Sequence, residues 1–535
     1  MKKHVKALAL SLCCLMGLAT VACSNPTPTG PVGPTGPKDG SIYTKDAVIY
    51  DVDAIEMITG DALDRTIDDN GNKFRYMSRN YLKFKDDDLA GTDNGHMFYS
   101  EKYQKMFLLF GDTYTSNRSG ESESGEDYTL REWLSNFMAI TTDMDLNDGL
   151  EFDDVHRDAN GKAAAIIEGK HFEVSDCVAN GLERTKINQG GIEVPKGYAG
   201  YGTLYSFYES VRNFGTGGTW RVNYQGAIKS TDGGVTWERV HDLTWFDTAT
   251  NKFKYCLYSA AEEVSQATDI SITSESQITD QMIAEAREKI PNAEQRVNPY
   301  FDQCYPLDGK DGYMYLFGRA SGRQHGIKVA RVTWDNIEKF EEYEYYCGNE
   351  GATSAKPYGD MSKPIWKKGY EGLKAINNHE VGYVFAHGQD EVTSSFSAMY
   401  NEYLGKWMIV YYQPPNFASG NNVFMSPQKV GFRLSDVPWG NYGKFHTIME
   451  QDFFAPEGVN TGDGDILEFK GYDFDEKGFA QNENDIASSF KSNKAIKLYG
   501  GFVHEKYQEE NGKIFYIIIT LDGIYNSALF RVTLN

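Results

Sequence analysis

The sequence predicts an all-β body, built as a propeller or as a large sandwich. Short apolar or alternating runs recur along the chain, at Tyr201–Tyr208, Trp220–Ile228, Tyr313–Phe317, Ile327–Thr333, Trp407–Tyr412, Val430–Leu434, Ile514–Thr520 and Ala528–Leu534. Many come in pairs joined by a Gly-containing turn, as in residues 314–333, which is the signature of repeated antiparallel hairpins. The third observation is Ser230-Thr231-Asp232-Gly233-Gly234-Val235-Thr236-Trp237, an S-x-D-x-G-x-T-W Asp box. In that motif Ser and Asp bond the turn's backbone, glycine permits the tight bend, and Trp packs beneath. Asp232 is therefore read as structural.

The chain opens with a segment unrelated to the body. Lys2, Lys3 and Lys6 precede the apolar run Ala7–Thr20, and Val21-Ala22-Cys23 follows. This resembles a bacterial lipobox, so residues 1–22 are expected to be a lipoprotein signal peptide and Cys23 the lipidation site. The alternative is an ordinary signal peptide cut near Ala22. Residues 23–40 are rich in Pro and Gly and suit a tether between membrane and domain. The folded domain is expected over 41–535, as an exported lipoprotein on the outer membrane surface.

Residues 91–114 bracket a hairpin with two aspartates, Asp93 and Asp112. Met106-Phe107-Leu108-Leu109-Phe110 is a short apolar run ended by Gly111, the pattern of a strand buried on both faces. Such a strand fixes the carboxylate just past its end. Two carboxylates at strand ends around one cleft are what glycoside hydrolysis needs. Asp beside Gly is also ordinary turn chemistry. Further on, Thr279 or Asp280 caps a helix over Gln281–Ile290 that Pro291 stops. Residues 264–277 read as an insertion between blades, and 349–380 and 451–495 as irregular regions.

Composition narrows the function. The formal charge of −23 and the lack of a basic patch argue against nucleic acid. Aromatics at 14% suit sugar binding and an all-β core alike. Cys177, Cys256, Cys304 and Cys347 are widely spaced, and their pairing stays open. No metal-binding histidine spacing is present, so no catalytic metal and no cofactor are expected.

From residue 91 onward the order of motifs resembles glycoside hydrolase family 183, the former domain of unknown function 4185. The pieces are Gly91-Thr92-Asp93, Phe110-Gly111-Asp112-Thr113, Trp133-Leu134-Ser135-Asn136-Phe137-Met138-Ala139, Thr141-Thr142-Asp143 and Asp148-Gly149-Leu150. Trp220–Tyr224, Phe317–Arg323, Val329–Val332, Tyr400–Trp407 and Tyr499–His504 continue the series. The resemblance implies a five-bladed β-propeller with loop and helical insertions. It implies an endo-acting D-arabinanase that cuts D-arabinofuranosyl chains of mycobacterial arabinogalactan and lipoarabinomannan. It also implies that Asp93 and Asp112 are the catalytic acids. Asp112 is assigned as general acid because apolar Phe110 and Leu108 raise its pKa. Asp93 is then base or nucleophile, inversion is favoured, and the reversed assignment stays open.

Six further residues are candidate substrate ligands. Asn136 bonds a sugar hydroxyl or satisfies a turn. Asn223 faces the funnel or is an exposed strand position. Arg323 ends a glycine-containing turn and is placed to clamp a sugar oxygen or a carboxylate. Gln303 precedes a strand. Glu391 is a reserve third acid. His504 follows glycines that permit close approach to a ligand. The competing functions are a non-catalytic surface glycan-binding propeller and a propeller glycosidase for another furanoside or a sialic acid. A single full Asp box disfavours the sialidase.

Overall fold

The computed structural model describes residues 49–67, 73–115, 133–213, 220–247, 252–264, 271–322, 326–353, 358–377, 381–385, 393–413, 429–450, 498–521 and 525–535. The protein is a five-bladed β-propeller. Each blade is an antiparallel sheet whose first strand lies nearest the axis. Blade I runs Leu89–Ser100, Lys105–Thr115, Phe137–Thr141 and Asp154–Val155. Blade II runs Thr185–Glu193, Leu204–Asn213, Arg221–Ser230 and Glu238–Arg239. Blade III runs Gln303–Asp308, Tyr313–Arg319, Lys328–Thr333, Glu344–Asn349 and Pro364–Lys368. Blade IV runs Phe396–Asn401, Lys406–Gln413, Lys429–Ser435 and His446–Glu450. Blade V runs Leu498–Phe502, Ile514–Leu521 and Asn526–Leu534, and the early strand Ile49–Met57 completes it. Pairing of the first strand with the last closes the ring non-covalently and leaves fewer open sheet edges.

The expected strands are all present, with ends shifted by a few residues. Their apolar character follows from packing. Successive side chains of a second strand point to opposite faces, and in a propeller both faces are covered by neighbouring blades. In blade I, Phe107 and Leu109 join Leu204, Tyr208, Tyr224 and Ile228 of blade II. Met106, Leu108 and Phe110 turn the other way, onto Tyr516, Ile518 and Leu529 of blade V. The remaining three interfaces are built in the same way. Leu108 is fully buried, so Leu108→Ala would cost about 2–5 kcal/mol in transfer and cavity terms. Where two blades come closest, side chains must be absent. A Cβ at Gly191 would lie 2.4 Å from the Phe98 ring.

The expected helix forms over Asp280–Lys289, capped by Thr279 and stopped before Pro291. With a second helix, Phe253–Ala260, it packs on the core shared by blades I and II. The Asp box links the third and fourth strands of blade II. Asp232 accepts from the Val235 and Thr236 amides at 3.1 and 3.0 Å and from the Thr236 hydroxyl at 2.6 Å. Ser230 Oγ donates to Asp232 at 2.7 Å, and the Trp237 indole donates to the Gly234 carbonyl at 3.2 Å. Cys177, Cys256, Cys304 and Cys347 are free thiols. Among the described residues no helix is long and apolar enough to cross a membrane. Cys23 and the tether lie outside the described residues.

Candidate active site

Antiparallel blades sort their ends between two poles. Innermost strands begin, and second strands end, at one pole, here called the mouth. Asp93 lies near the start of an innermost strand and Asp112 near the end of the adjacent second strand, so the fold brings both to the mouth. A register shift then sets them beside one another along the ladder. Thr92 pairs with Thr113 and Asn94 with Phe110, which sets Asp93 opposite Gly111 and Asp112 together. Bulges of this kind re-aim side chains. Gly111 makes the room: a Cβ there would lie 2.1 Å from Asp93 Oδ1. Asn94 Nδ2 donates to that same oxygen at 3.0 Å, and the Asp93 residue is partly exposed.

Asp112 is only 4% exposed. Its Oδ1 accepts from Thr185 Oγ1 at 2.5 Å and from the Trp133 indole nitrogen at 3.1 Å. The two-residue strand Trp133–Leu134 pairs with Thr113 and Tyr114, and this delivers the indole. Burial pushes the Asp112 carboxyl up to about 7; the hydrogen bonds from Thr185 and Trp133 and the charge of Arg184 oppose the rise without cancelling it. Such an acid keeps its proton near neutrality, as a general acid must. Trp133 is itself fixed by a stacked His171 at 4.4 Å and by the Arg184 guanidinium at 4.3 Å.

A third carboxyl, Glu209, lies in the second half of the second strand of blade II. It is buried, and its Oε1 accepts from Gln303 Nε2 at 2.7 Å and Gln189 Nε2 at 3.0 Å. The Trp220 indole donates to Oε2 at 3.4 Å. Burial raises Glu209 to about 7, with Gln303, Arg319 and Trp220 opposing the rise and Asp93 adding to it. Glu209 was missed in the sequence, where it looks like one polar residue in a strand. The available signal was its phase: it shares a face with Tyr205 and Phe207, which are core residues. A lone acid on such a face needs a partner or a purpose.

The other expected ligands divide. Gln303 reaches the mouth, but its amide holds Glu209 instead of pointing to open space. Asn136 is fully buried; Nδ2 donates to the Ile167 and Lys186 carbonyls at 2.7 and 2.9 Å, and Oδ1 accepts from the Ile166 amide at 3.0 Å. Three backbone bonds make it a strut under the site and leave no group for sugar. Asn223 is also buried, with Oδ1 taking the Cys256 thiol at 3.5 Å beneath the Phe253–Ala260 helix, so it does not line the funnel. His504 lies past the end of its innermost strand, at the pole opposite the acids. Its Nδ1 accepts the Lys506 amide at 3.1 Å, and burial pulls its pKa down to about 4. The glycines before it serve the blade: a Cβ at Gly501 would sit 3.0 Å from Val430. Arg323 and Glu391 lie outside the described residues. Among the described residues no group of three His, Cys, Asp or Glu side chains is arranged to hold a metal ion.

Several solved structures resemble this one at low identity. A Bacteroides ovatus protein named as a candidate hydrolase is 11% identical, with a TM-score of 0.42 over 84% of this chain and 89% of that one. The native arabinanase of Bacillus subtilis is 10% identical, with a TM-score of 0.32 over 83% and 96%. A glycoside hydrolase family 43 endo-arabinanase from Bacillus licheniformis is 9% identical, with a TM-score of 0.31 over 83% and 96%. At these values the likenesses assign no residue a role. No curated protein matches. Residues 82–531 match the model of DUF4185, a domain of unknown function, and the chain belongs to that family.

Proposed function

We propose that the protein is a glycoside hydrolase that cuts D-arabinofuranosyl linkages within mycobacterial arabinogalactan and lipoarabinomannan. The observation that carries the reading is Asp112, a buried carboxyl raised to about 7 that the strand register sets beside the partly exposed Asp93 at one pole of the propeller. Asp112 would protonate the leaving glycosidic oxygen. Asp93, with water on its exposed side, would act as base or nucleophile at the anomeric carbon. The D-arabinan substrate follows from the motif series that resembles glycoside hydrolase family 183. The signal segment and the Pro/Gly-rich residues 23–40 support export and lipid anchoring through Cys23, with the catalytic domain displayed at the outer membrane surface.

The test is incubation of the purified protein with mycobacterial arabinogalactan, followed by chromatography of released oligosaccharides. Products from wild type, lost in Asp93→Asn and Asp112→Asn, support the reading. Binding without products would favour a glycan-capturing propeller. Undiminished activity in both variants would move the site elsewhere.

A further inference from the structure

The mouth is asymmetric. Toward blades II and III it is walled by Glu209, Gln189, Gln303, Trp220 and Arg319, all buried, and the first four are hydrogen-bonded together. Toward blade V it is lined by half-buried tyrosines. Tyr114 follows Asp112 by two residues, Tyr525 precedes the third strand of blade V, and Tyr499 lies near the start of that blade's innermost strand. None of the three belongs to the five cores between blades. They sit at the margin of those cores, with part of each residue open to the mouth side.

We propose that Tyr114, Tyr525 and Tyr499 form a sugar-binding track, along which a neutral glycan chain extends from the carboxyls over blade V toward blade IV. The proposal rests on the glycosidase reading of those carboxyls. The three tyrosines neighbour one another along that side. Tyr114 and Tyr525 have centroids 5.5 Å apart, tilted by 54°. Tyr525 lies within electrostatic reach of Asp93, Asp112, Tyr114 and Tyr499. Tyr499 in turn meets Tyr412 of blade IV at 6.2 Å. Aromatic faces pack on the C–H faces of sugars, and phenol hydroxyls exchange hydrogen bonds with sugar hydroxyls. Asp93, the partly exposed carboxyl at the head of the track, disfavours an anionic residue beside it, which favours a neutral chain.

The backbone at Tyr525 supports a functional role. Its φ is +53°, a left-handed conformation uncommon for an aromatic residue. Two bonds hold it there: its amide donates to the Leu521 carbonyl at 2.8 Å, and its carbonyl accepts from the Thr92 amide at 2.8 Å. Thr92 immediately precedes Asp93. The bond therefore ties the tyrosine of blade V to the acid of blade I, and an unfavourable conformation over-determined by its surroundings is characteristic of ligand clamps.

The experiment measures binding, so it does not depend on turnover. D-arabino-oligosaccharides of increasing length are titrated calorimetrically into the Asp93→Asn protein, then into the same protein carrying Tyr499→Ala, Tyr525→Ala or Tyr525→Phe. Affinity should rise with length over the first several residues. Tyr499→Ala should weaken the longer ligands by about tenfold, and the loss should grow with chain length. Tyr525→Phe should keep more affinity than Tyr525→Ala. Tyr50→Ala, on the outer strand of blade V and 73% exposed, is the control and should match its parent. Affinity that does not change with length, an unaltered Tyr499→Ala protein, or no binding at any length overturns the track. Length-dependent binding beside a wild-type protein that releases no products would overturn the hydrolase and leave the track standing.

Discussion

Asp112 and Asp232 both stand beside a glycine near a strand end, and they have opposite chemistry. Asp112 lies out of water and receives two donors on one oxygen. Desolvation dominates, and its carboxyl rises to about 7. Asp232 lies on an exposed hairpin. Desolvation pushes upward there too, but bonds from Thr236, Ser230 and Val235 outweigh it and hold the carboxyl below its ordinary range. A carboxylate saturated with donors is a fixed anion that shapes a turn. A carboxyl with few donors and little water is a proton carrier. The balance of donors and solvent separates the two roles, although the Asp box is the more distinctive of the two motifs.

The contrast breaks most visibly at Asp112. Asp112→Asn should lower kcat/KM on arabinan by about 10³-fold, the usual share of a general acid. The same variant should be less sensitive to alkali. Asp112 titrates near 3.8 when unfolded and near 7 when folded, so the folded state binds more protons between those values. Wild-type stability is therefore present at low pH and lost as pH rises through 7, by on the order of 4 kcal/mol. Asparagine removes that loss. Melting curves at pH 4.5 and 8 should converge in the variant relative to wild type.

Glu209 tests whether the mouth holds a second proton carrier. Its carboxyl is also raised to about 7, and Asp93 contributes to the rise. Glu209→Gln keeps an oxygen for Gln189 and Gln303 but removes the titration. We expect a loss of roughly 10–100-fold in kcat, with a simpler pH profile, since one of two groups titrating near neutrality is gone. An unchanged profile would make Glu209 a structural acid buried with Gln303 and Arg319.

Asp232→Ala is the reverse experiment. It removes the acceptor for three protein donors beyond Ser230 and should cost about 1–3 kcal/mol of stability. The loss should appear as a lower Tm, with kcat/KM unchanged in the folded protein. A loss of activity at constant Tm would contradict its structural role.

These roles were unequally legible in the sequence. Blade strands were visible because both faces of a second strand are buried, so the apolar run at 106–110 is continuous. The placement of Asp93 and Asp112 on one hairpin, near strand ends, was legible from the apolar run and the glycine that closes it. For Asn136 and Asn223 the sequence left two readings open, because an asparagine buried against backbone carbonyls or a helix thiol is spelled like one that binds sugar. His504 was misplaced because chain proximity to a glycine pair does not say at which pole a strand ends. The closing strand Ile49–Met57 was not recognised, since its partner lies at the far end of the chain. Glu209 required knowing which residues of its strand face blade III.

The smallest expected effect isolates one hydrogen bond. Trp133 donates to Asp112 Oδ1 at 3.1 Å while its ring stacks on His171. Trp133→Phe keeps an aromatic ring and removes the donor. A hydrogen bond to the charged form lowers a carboxyl's pKa, so its loss moves Asp112 upward from about 7, by up to roughly one unit. The alkaline limb of the kcat profile should shift in the same direction, with activity at pH 6 little changed. Asp112 would then sit further from Asp232, as a carboxyl that holds its proton to higher pH. A limb that stays in place would assign it to Glu209 instead, because Trp133 makes no contact with that carboxyl and its own indole donor is Trp220.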